Sequence, residues 1–284
     1  MIELTPVEAK PFLRWVGGKS KVVPLLAPAI TQYLQKTGGR YFEPFLGGGA
    51  MALHLGFPDM VLNDIIPDLA ATYECLRDNA LELARGVYQL AQWGTKEENY
   101  YLVRDTDPDT MMDQAIRLLY LNAHCFNGVW RTNKSGKMNV PYGKKEDRIT
   151  DSFINKLEAA SEALAGAEIR NEDFEPVLRD AEEGDLVYLD PPYDGTFSDY
   201  AETTFTGVGQ DRLGSELYGA HLRGVAFICH NSDTEKVRSW FSYAKLLNFK
   251  EARSVNSDGK GRGKANCLLI SNQPELLLQT AVDA

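Results

Sequence analysis

The sequence DLVYLDPPYDG, residues 185–195, places an acid, two prolines and a tyrosine at the end of an apolar run. Residues 186–189 form a short run with β-branched and aromatic side chains, which is typical of a buried strand. Pro191 and Pro192 lack the N–H that a central strand needs, so the strand must end at Asp190. Each proline also fixes its own φ and restricts the residue before it. The pattern predicts a stiff turn that holds a carboxylate, a carbonyl and an aromatic ring in fixed positions, although a simple capping acid in a proline turn would look the same.

Short apolar runs alternate with helical patterns over most of the chain. Strands are predicted at residues 41–45, 60–64, 186–190, 225–232 and 267–271. Helices are predicted near residues 20–36, 66–92, 111–124, 151–165, 211–223 and 234–246. Such alternation is typical of an α/β sheet with helices on both faces.

Residues 72–148 interrupt this alternation with helical patterns and then a polar, glycine-containing segment that predicts a hairpin. We therefore expect a smaller domain at 72–148, inserted into an α/β domain formed by residues 1–71 and 149–284. Residues 257–266, SDGKGRGKAN, are too rich in glycine for regular structure and predict a mobile loop between the last two strands.

The bulk composition is that of a globular protein. Of the 284 residues, 44% are hydrophobic and 25% charged, and no uncharged apolar run approaches the roughly 18 residues of a membrane span. The amino-terminal residues show no secretory signal pattern. The four cysteines form no CxxC pair, which argues against a zinc site or a disulfide framework and predicts a reducing, cytoplasmic location.

The net charge of −10 gives no support to a nucleic-acid partner by itself, but the basic residues are clustered. Residues 128–148 contain six basic and two acidic side chains, and residues 250–264 contain five and two. Two basic segments on an acidic protein can still hold phosphates. Two solvated loops would show the same charge pattern.

A glycine-rich turn predicts a nucleoside site. Gly47, Gly48 and Gly49 lie between a predicted strand and a helical pattern that begins at Ala50, and glycines there let the backbone approach a ligand closely. Asp64, at the end of the next strand, can accept hydrogen bonds from ribose hydroxyls. Such turns are also often simply tight, and the spacing GxGxxG of dinucleotide-binding folds is absent.

The segment Gly18-Lys19-Ser20 is similar to the end of a phosphate-binding P-loop. That motif requires a glycine at position 13, where this chain has Leu13, and no apolar strand of normal length precedes it. A nucleoside-triphosphatase is therefore rejected.

Taken together, the motifs resemble the Dam-type DNA adenine-N6 methyltransferases. The resemblance runs from about Pro11 to Ser271. It is carried, in this order, by FLRWVGGKSK (12–21), FEPFLGGGA (42–50), VLND (61–64), LYLNAHCFNGVWRTN (119–133), MNVPYG (138–143) and LDPPY (189–193). It implies a Rossmann-like fold that binds S-adenosylmethionine, with residues 72–148 as the target-recognition domain.

The resemblance also implies which residues hold the cofactor. Trp15, Gly17 and Lys19 would line the cofactor or target pocket. Phe45, Leu46, Gly47, Gly48 and Gly49 would surround the methionine part, and Asp64 would hold the ribose. Asp173 and Phe174, in NEDFEPV, match the segment that holds the adenine of the cofactor, and Asp190 would border the same site. No metal is implied.

In the reaction that the resemblance implies, the exocyclic amine of adenine is a poor nucleophile because its lone pair is delocalised. Asp190 and the Pro191 carbonyl would each accept an N6 hydrogen bond and stabilise the positive charge that develops. Pro192 would add rigidity, and Tyr193 would stack on a base flipped out of the duplex.

For DNA recognition, the resemblance implies double-stranded DNA as the partner and GATC as the site. Arg131 would read guanine O6 and N7 bidentately, unless it is a plain surface charge. Trp130 would either wedge into the base stack or belong to the core. The residues implied to contact DNA are Asn127, Trp130, Arg131, Asn133, Lys134 and Lys137, with Lys144 and Lys145 as further phosphate ligands.

Two other functions stay open at this point: a cytosine-N4 methyltransferase, and a non-catalytic DNA-binding regulator that retains the cofactor pocket. Asn266-Cys267 departs from the family, whose members often have an acid there. His230 is expected to be a buried polar residue and not a catalyst. The enzyme is expected in a bacterial or phage-infected cell, with no membrane partner, as a monomer in solution or as two copies on a palindromic site.

Overall fold

The structure of the protein is a computed structural model that describes residues 9–93, 97–133, 135–144, 148–194, 205, 207–252 and 264–277. Its helices are α1 (Val23–Thr37), α2 (Ala50–Leu55), α3 (Pro67–Gln92), α4 (Glu97–Asp105), α5 (Met111–His124), α6 (Asp151–Ala163), α7 (Phe174–Arg179), α8 (Gly207–Leu222) and α9 (Glu235–Trp240). Its strands are β1 (Tyr41–Glu43), β2 (Met60–Asn63), β3 (Glu168–Arg170), β4 (Leu186–Leu189), β5 (Ala226–Ser232), β6 (Lys245–Ala252) and β7 (Lys264–Ser271).

These strands form one mixed sheet with the order β3-β2-β1-β4-β5-β7-β6, which confirms the predicted α/β class. Strand β1 is parallel to both of its neighbours, β2 and β4, and β4 is parallel to β5. Strand β7 is antiparallel to both β5 and β6. The strand order reverses between β1 and β4. Open α/β sheets bind ligands outside the carboxyl ends of their strands at such a point, where Pro44 and Asp190 follow these two strands.

The chain forms two compact units. The first unit comprises residues 1–18, 47–58 and 64–171, and the second comprises residues 19–46, 59–63 and 172–284. The first unit is mainly helical, and its longest helices, α3 and α5, pack against each other. This division by compactness does not follow the predicted domain boundaries at 72 and 148, and it does not show which residues recognise DNA, so the recognition domain stays a prediction.

The second unit has its hydrophobic core on the strands of the sheet. Strands β1, β4 and β5 are buried along their whole length, which explains why their sequences are apolar runs and do not alternate. Helices α7 and α8 cover part of this core, and its fully buried side chains include Phe42, Val187, Leu217, Phe227 and Leu268. Among the described helices, none combines the length and apolar character that crossing a membrane requires.

Most predicted elements are confirmed, with small shifts at their ends. The helix predicted at 234–246 is wrong in its second half, because α9 ends at Trp240 and β6 begins at Lys245. The expected hairpin corresponds to two antiparallel bridges, Thr132 to Met138 and Cys125 to Tyr142. Residues 257–263 of the predicted loop lie outside the described residues, and residues 264–266 belong to β7. The pattern did not predict β3, β6, α4 or α7.

Candidate active site

The glycine turn of the first unit has a backbone that only glycine adopts easily. Gly47 and Gly49 have φ values of 49° and 62°, in the left-handed region, and Gly49 is the N-cap of α2. The buried Tyr73 hydroxyl donates a hydrogen bond to the Gly47 carbonyl at 3.1 Å. A Cβ on Gly49 would lie 2.6 Å from that hydroxyl oxygen. On the side that faces Tyr73, the turn therefore has space for backbone atoms but not for a side chain.

Trp15 lies against the same turn. A Cβ on Gly47 would be 3.0 Å from the Trp15 ring, and a Cβ on Gly48 would be 3.1 Å from the Trp15 Cβ. The Gly18 N–H donates to the Trp15 carbonyl at 3.3 Å, and Gly17, with φ 82°, is exposed. The structure thus brings together two segments that the sequence predicted for one ligand.

Asp64 follows β2 and is buried in the first unit. Its Oδ2 accepts a hydrogen bond from the Gly47 N–H at 2.9 Å, and its Oδ1 accepts one from the Ile66 N–H at 3.0 Å. Burial raises the pKa of this carboxyl to about 6, while the backbone hydrogen bonds oppose the shift. Asp64 therefore orders the glycine turn and is an anion at neutral pH, with lone pairs suited to hydroxyl donors.

In the second unit, Asp190 forms an ion pair. Lys19 Nζ lies 3.0 Å from Asp190 Oδ2, and the two side chains are 5% and 20% exposed. The same ammonium lies 5.3 Å from the centre of the Tyr193 ring. Lysine is rarely this buried unless it is paired, so the Lys19 ammonium and the Asp190 carboxylate stabilise each other as ions.

His230 lies on the neighbouring strand β5 and is buried, as expected for a polar residue of the core. Its Nε2 lies 3.0 Å from the Tyr188 hydroxyl. Burial, and then the nearby Lys19 charge, hold the pKa of His230 well below its ordinary value. His230 is therefore neutral at neutral pH, and it does not compete with Lys19 as a cation.

Asp173 and Phe174 begin α7, where Asp173 is the N-cap. Its Oδ1 accepts hydrogen bonds from the Glu175 N–H at 3.0 Å and from Arg212 Nη2 at 2.9 Å. The Phe174 ring stacks on Phe45, with centroids 5.4 Å apart and an interplanar angle of 28°. Three of the residues predicted for the cofactor thus lie together in this unit. Leu46, which follows Phe45 in the sequence, is buried, and its N–H donates a hydrogen bond to the Asn63 carbonyl.

In the predicted recognition segment, the side chains of Trp130 and Asn133 are engaged within the protein itself. Trp130 is 1% exposed and so belongs to the core, which was one of its two expected roles. Asn133 Oδ1 accepts hydrogen bonds from the Ser135 and Lys137 N–H groups, both at 3.0 Å. Asn133 therefore closes the turn in which these residues lie.

The other recognition residues that the structure describes are at least partly accessible. Asn127 is exposed with a left-handed φ of 57°. Arg131 is half-buried, and its Nε donates to Asn139 Oδ1 at 2.9 Å, which orients the guanidinium. Lys137 pairs with Asp107 at 3.1 Å on the surface. Lys134 and Lys145 lie outside the described residues.

One buried residue of the first unit was not singled out from the sequence. Asn122 Oδ1 accepts from the Arg14 N–H at 3.0 Å, and its Nδ2 donates to the carbonyls of Arg14 at 2.9 Å and Gly128 at 3.2 Å. It thereby ties the amino-terminal motif to the recognition segment. The only sequence signal is an amide within the apolar run LYLNA, because buried amides are normally hydrogen-bonded.

Comparison with known proteins decides the family. The model for D12 class N6 adenine-specific DNA methyltransferases matches residues 15–255. The chain belongs to this family. It is therefore an adenine-specific DNA methyltransferase, and the cytosine-N4 enzyme and the non-catalytic regulator are set aside. Within the described residues, no group of three or more His, Cys, Asp or Glu side chains is arranged to hold a metal ion.

Several relatives of this methyltransferase match over nearly its full length. The type II methyltransferase M1.LlaDCHI of Lactococcus lactis is 29% identical over 96% of this chain and 98% of its own. The DNA adenine methylase of Escherichia coli K12 is 31% identical over 93% of this chain and 95% of its own. The DNA N-6-adenine-methyltransferase of Escherichia phage P1 is 35% identical over 90% of this chain, which spans 34% of that longer protein.

Proposed function

We propose that this D12-class enzyme transfers a methyl group from S-adenosylmethionine to N6 of an adenine flipped out of double-stranded DNA, within the sequence GATC. The observation that carries the proposal is the ion pair at the end of β4. There the Asp190 carboxylate lies 3.0 Å from Lys19, in a proline turn beside the Tyr193 ring. Strand β4 is also one of the two strands between which the strand order reverses.

The reaction needs a hydrogen-bond acceptor for the adenine amine. This acceptor does not have to remove a proton from the amine before the nitrogen attacks the methyl group. Asp190, as a carboxylate, accepts one N6 hydrogen bond, and the Pro191 carbonyl accepts the other. Together they draw the nitrogen toward tetrahedral geometry and stabilise its developing positive charge. Pro192 stiffens the turn, and Tyr193 stacks on the extruded base. S-Adenosylmethionine supplies the methyl group, already activated by its sulfonium.

The residues of the first unit fit a nucleoside with an extended side chain. The glycine turn at Gly47–Gly49 is closed to a Cβ by Tyr73 and Trp15, so its backbone can approach the methionine part closely. Asp64 would accept hydrogen bonds from the ribose hydroxyls, since its carboxylate is already oriented by the Gly47 and Ile66 N–H groups.

In the second unit, the stacked rings of Phe45 and Phe174 would hold the cofactor's adenine, together with the Asp173 carboxylate. Lys19 would border the target and orient Asp190. These assignments follow the motifs that the chain shares with its family.

The GATC site rests on the recognition segment. The guanidinium of Arg131 is oriented by Asn139 and has the geometry for guanine O6 and N7. Asn127 would lie near the target, and Lys134 and Lys137 would hold phosphates, with their neighbours Lys144 and Lys145. Since GATC reads the same on both strands, one monomer would act on each strand.

Sequencing that detects modified bases tests this function directly. The chain is expressed in a host without adenine methylation, beside the Asp190→Ala variant as control. We expect N6-methyladenine at GATC with the wild type alone. N6-methyladenine in another sequence would overturn the site and leave the chemistry standing, while methylation that persists with Asp190→Ala would overturn the catalytic assignment.

A further inference from the structure

We propose that Gln210 and Asn231 are positioning residues that fix the backbone on both sides of Tyr193 and so hold its ring against the extruded adenine. The inference rests on the proposed roles of Asp190 and Tyr193. Gln210 lies outside the motifs by which the sequence resembles its family. Asn231 lies in the segment HNSD (230–233), which resembles the family's SNHD with the order scrambled, but the resemblance assigns it no role.

A chain of hydrogen bonds in the second unit carries this inference. Gln210 Nε2 donates to the Pro192 carbonyl, and Gln210 Oε1 accepts from Asn231 Nδ2 at 3.0 Å. Asn231 Oδ1 in turn accepts from the Asp194 N–H at 3.0 Å. The chain therefore begins at the backbone group just before Tyr193 and ends at the group just after it.

Both amides are anchored in regular structure and shielded from water. Gln210 lies in α8 and is 2% exposed, while Asn231 lies in β5 and is 0% exposed. Strand β5 is hydrogen-bonded on both sides, to β4 and to β7, so Asn231 has little freedom to move. The support for the catalytic turn thus comes from rigid elements outside it.

The donor and acceptor roles along this series of hydrogen bonds allow only one orientation of each amide group. A proline carbonyl accepts only, so Gln210 must present its NH₂ group to Pro192. Its oxygen then faces the Asn231 NH₂, and the Asn231 oxygen faces the Asp194 N–H. Reversal of either amide would place donor against donor in a buried site, which is costly. The arrangement therefore defines a single geometry.

The consequence is a Tyr193 residue whose two neighbouring peptide groups are both held. Pro192 has a fixed φ, and its carbonyl is bound by Gln210. Asp194 is held through its N–H and also through its side chain, whose Oδ2 accepts from Thr234 Oγ1 at 3.1 Å. Small displacements of a positioned group reduce turnover strongly, so loss of these bonds should affect kcat more than substrate binding.

The test compares Gln210→Met and Asn231→Asp with the wild type. Gln210→Met keeps the length of the side chain but removes both hydrogen bonds, and Asn231→Asp puts a carboxyl oxygen in place of the donor to Gln210. Readouts are kcat, KM for DNA, and the fluorescence of 2-aminopurine at the target position, which Tyr193 quenches when it stacks. We expect kcat to fall about 100-fold for Gln210→Met, with KM changed little, and the fluorescence to move toward the value of Tyr193→Ala.

Asn272 provides a matched control, because its side chain bonds to the backbone at the other end of β5. Asn272 Oδ1 accepts from the Phe227 N–H and its Nδ2 donates to the Val225 carbonyl, near the amino end of β5. Asn272→Asp should lower the melting temperature without changing kcat or the fluorescence. Wild-type kcat and fluorescence in Gln210→Met, or a fall in melting temperature alone, would overturn the inference.

Failure of the proposed function would look different. If Asp190→Ala and Tyr193→Ala retained full turnover in the same assays, the catalytic assignment itself would fall. If those two variants were inactive while Gln210→Met and Asn231→Asp were normal, only the positioning role would be overturned. If Gln210→Met does not fold, Asn231→Asp, which keeps the acceptor for the Asp194 N–H, decides alone: a fall in kcat with KM for DNA changed little supports the positioning role, and wild-type kcat and fluorescence overturn it.

Discussion

Lys19 Nζ and Asp190 Oδ2 lie 3.0 Å apart, although the two residues come from separate segments of the second unit, 19–46 and 172–284. The pair places a cation next to the acid that we propose accepts a hydrogen bond from the target amine. A carboxylate offers only hydrogen-bond acceptors, so an ion pair that stabilises the Asp190 carboxylate would serve the proposed reaction. Because His230 is neutral, this function depends on Lys19.

Removal of the Lys19 charge should therefore lower the stability of the protein and the rate of methyl transfer. Lys19→Met takes the ammonium partner from a largely buried carboxylate, and we expect the free energy of unfolding to fall by about 1–3 kcal/mol. Denaturant unfolding measures this change. The double variant Lys19→Met/Asp190→Asn should lose less than the sum of the single variants, whereas strict additivity would show that the two side chains do not interact.

Cofactor affinity should depend on pH through Asp64. Its pKa is raised from an ordinary value of 3.8 to about 6, so the carboxylate that we propose accepts hydrogen bonds from the ribose hydroxyls is lost as pH falls through about 6. We expect S-adenosylhomocysteine binding, measured by calorimetry, to weaken over this range. In Asp64→Asn, binding should be weak and independent of pH there, and an unchanged pH dependence in that variant would contradict the assignment.

The same shift has a consequence for stability, with the opposite sign to that of a paired surface acid. Between pH 3.8 and about 6 the folded chain retains a proton on Asp64 that the unfolded chain releases. The contribution of Asp64 to the free energy of unfolding therefore falls as pH rises through this window.

Two glycine variants separate backbone strain from crowding. Gly38→Ala introduces a side chain at φ 72° with no atom within 4 Å of its Cβ, so we expect a loss of about 1 kcal/mol from strain alone. Gly49→Ala, at φ 62°, also places the Cβ 2.6 Å from the Tyr73 hydroxyl, and it should cost more and weaken cofactor binding. Melting temperatures compare the two variants. Tyr73→Phe should partly rescue Gly49→Ala, and equal losses at Gly38 and Gly49 would argue against a crowded turn.

Sequence preference and DNA affinity should separate at Arg131 and Lys137. Arg131→Ala should reduce discrimination against single-base variants of GATC by about 1–3 kcal/mol, because it removes the bidentate contact that we propose Arg131 makes with guanine. Lys137→Ala should weaken binding to all sequences alike and lower its salt dependence. Competition binding at several salt concentrations measures both effects. Unchanged discrimination in Arg131→Ala would remove it as a base-reading residue.

The fold could be predicted from the sequence where the residue pattern of a strand or helix follows from its burial. Strand β4 was predicted because its buried residues make an apolar run and Pro191 and Pro192 must end it. Strand β3 was missed because it has three residues and none is fully buried. Strand β6 was missed, and its first two residues were included in a predicted helix, because it is an edge strand whose half-exposed residues show no clear alternation.

For the site, motifs identified residues but not their partners. The glycine turn and Asp64 were predicted together, because they follow neighbouring strands of a common pattern. The pairing of Lys19 with Asp190, and of Gln210 with Asn231, depends on how distant segments pack, which no local pattern encodes. Trp130 shows the same limit, since its sequence fitted both a core residue and a DNA wedge.

The central claim is that Asp190 accepts a hydrogen bond from the target amine during methyl transfer. Single-turnover transfer of a labelled methyl group to a GATC duplex, with wild type and Asp190→Ala compared, tests it most directly. Binding of S-adenosylhomocysteine and the melting temperature provide the check that the variant folds. We expect Asp190→Ala to fold and to abolish transfer, and a folded Asp190→Ala enzyme with substantial turnover would contradict the account.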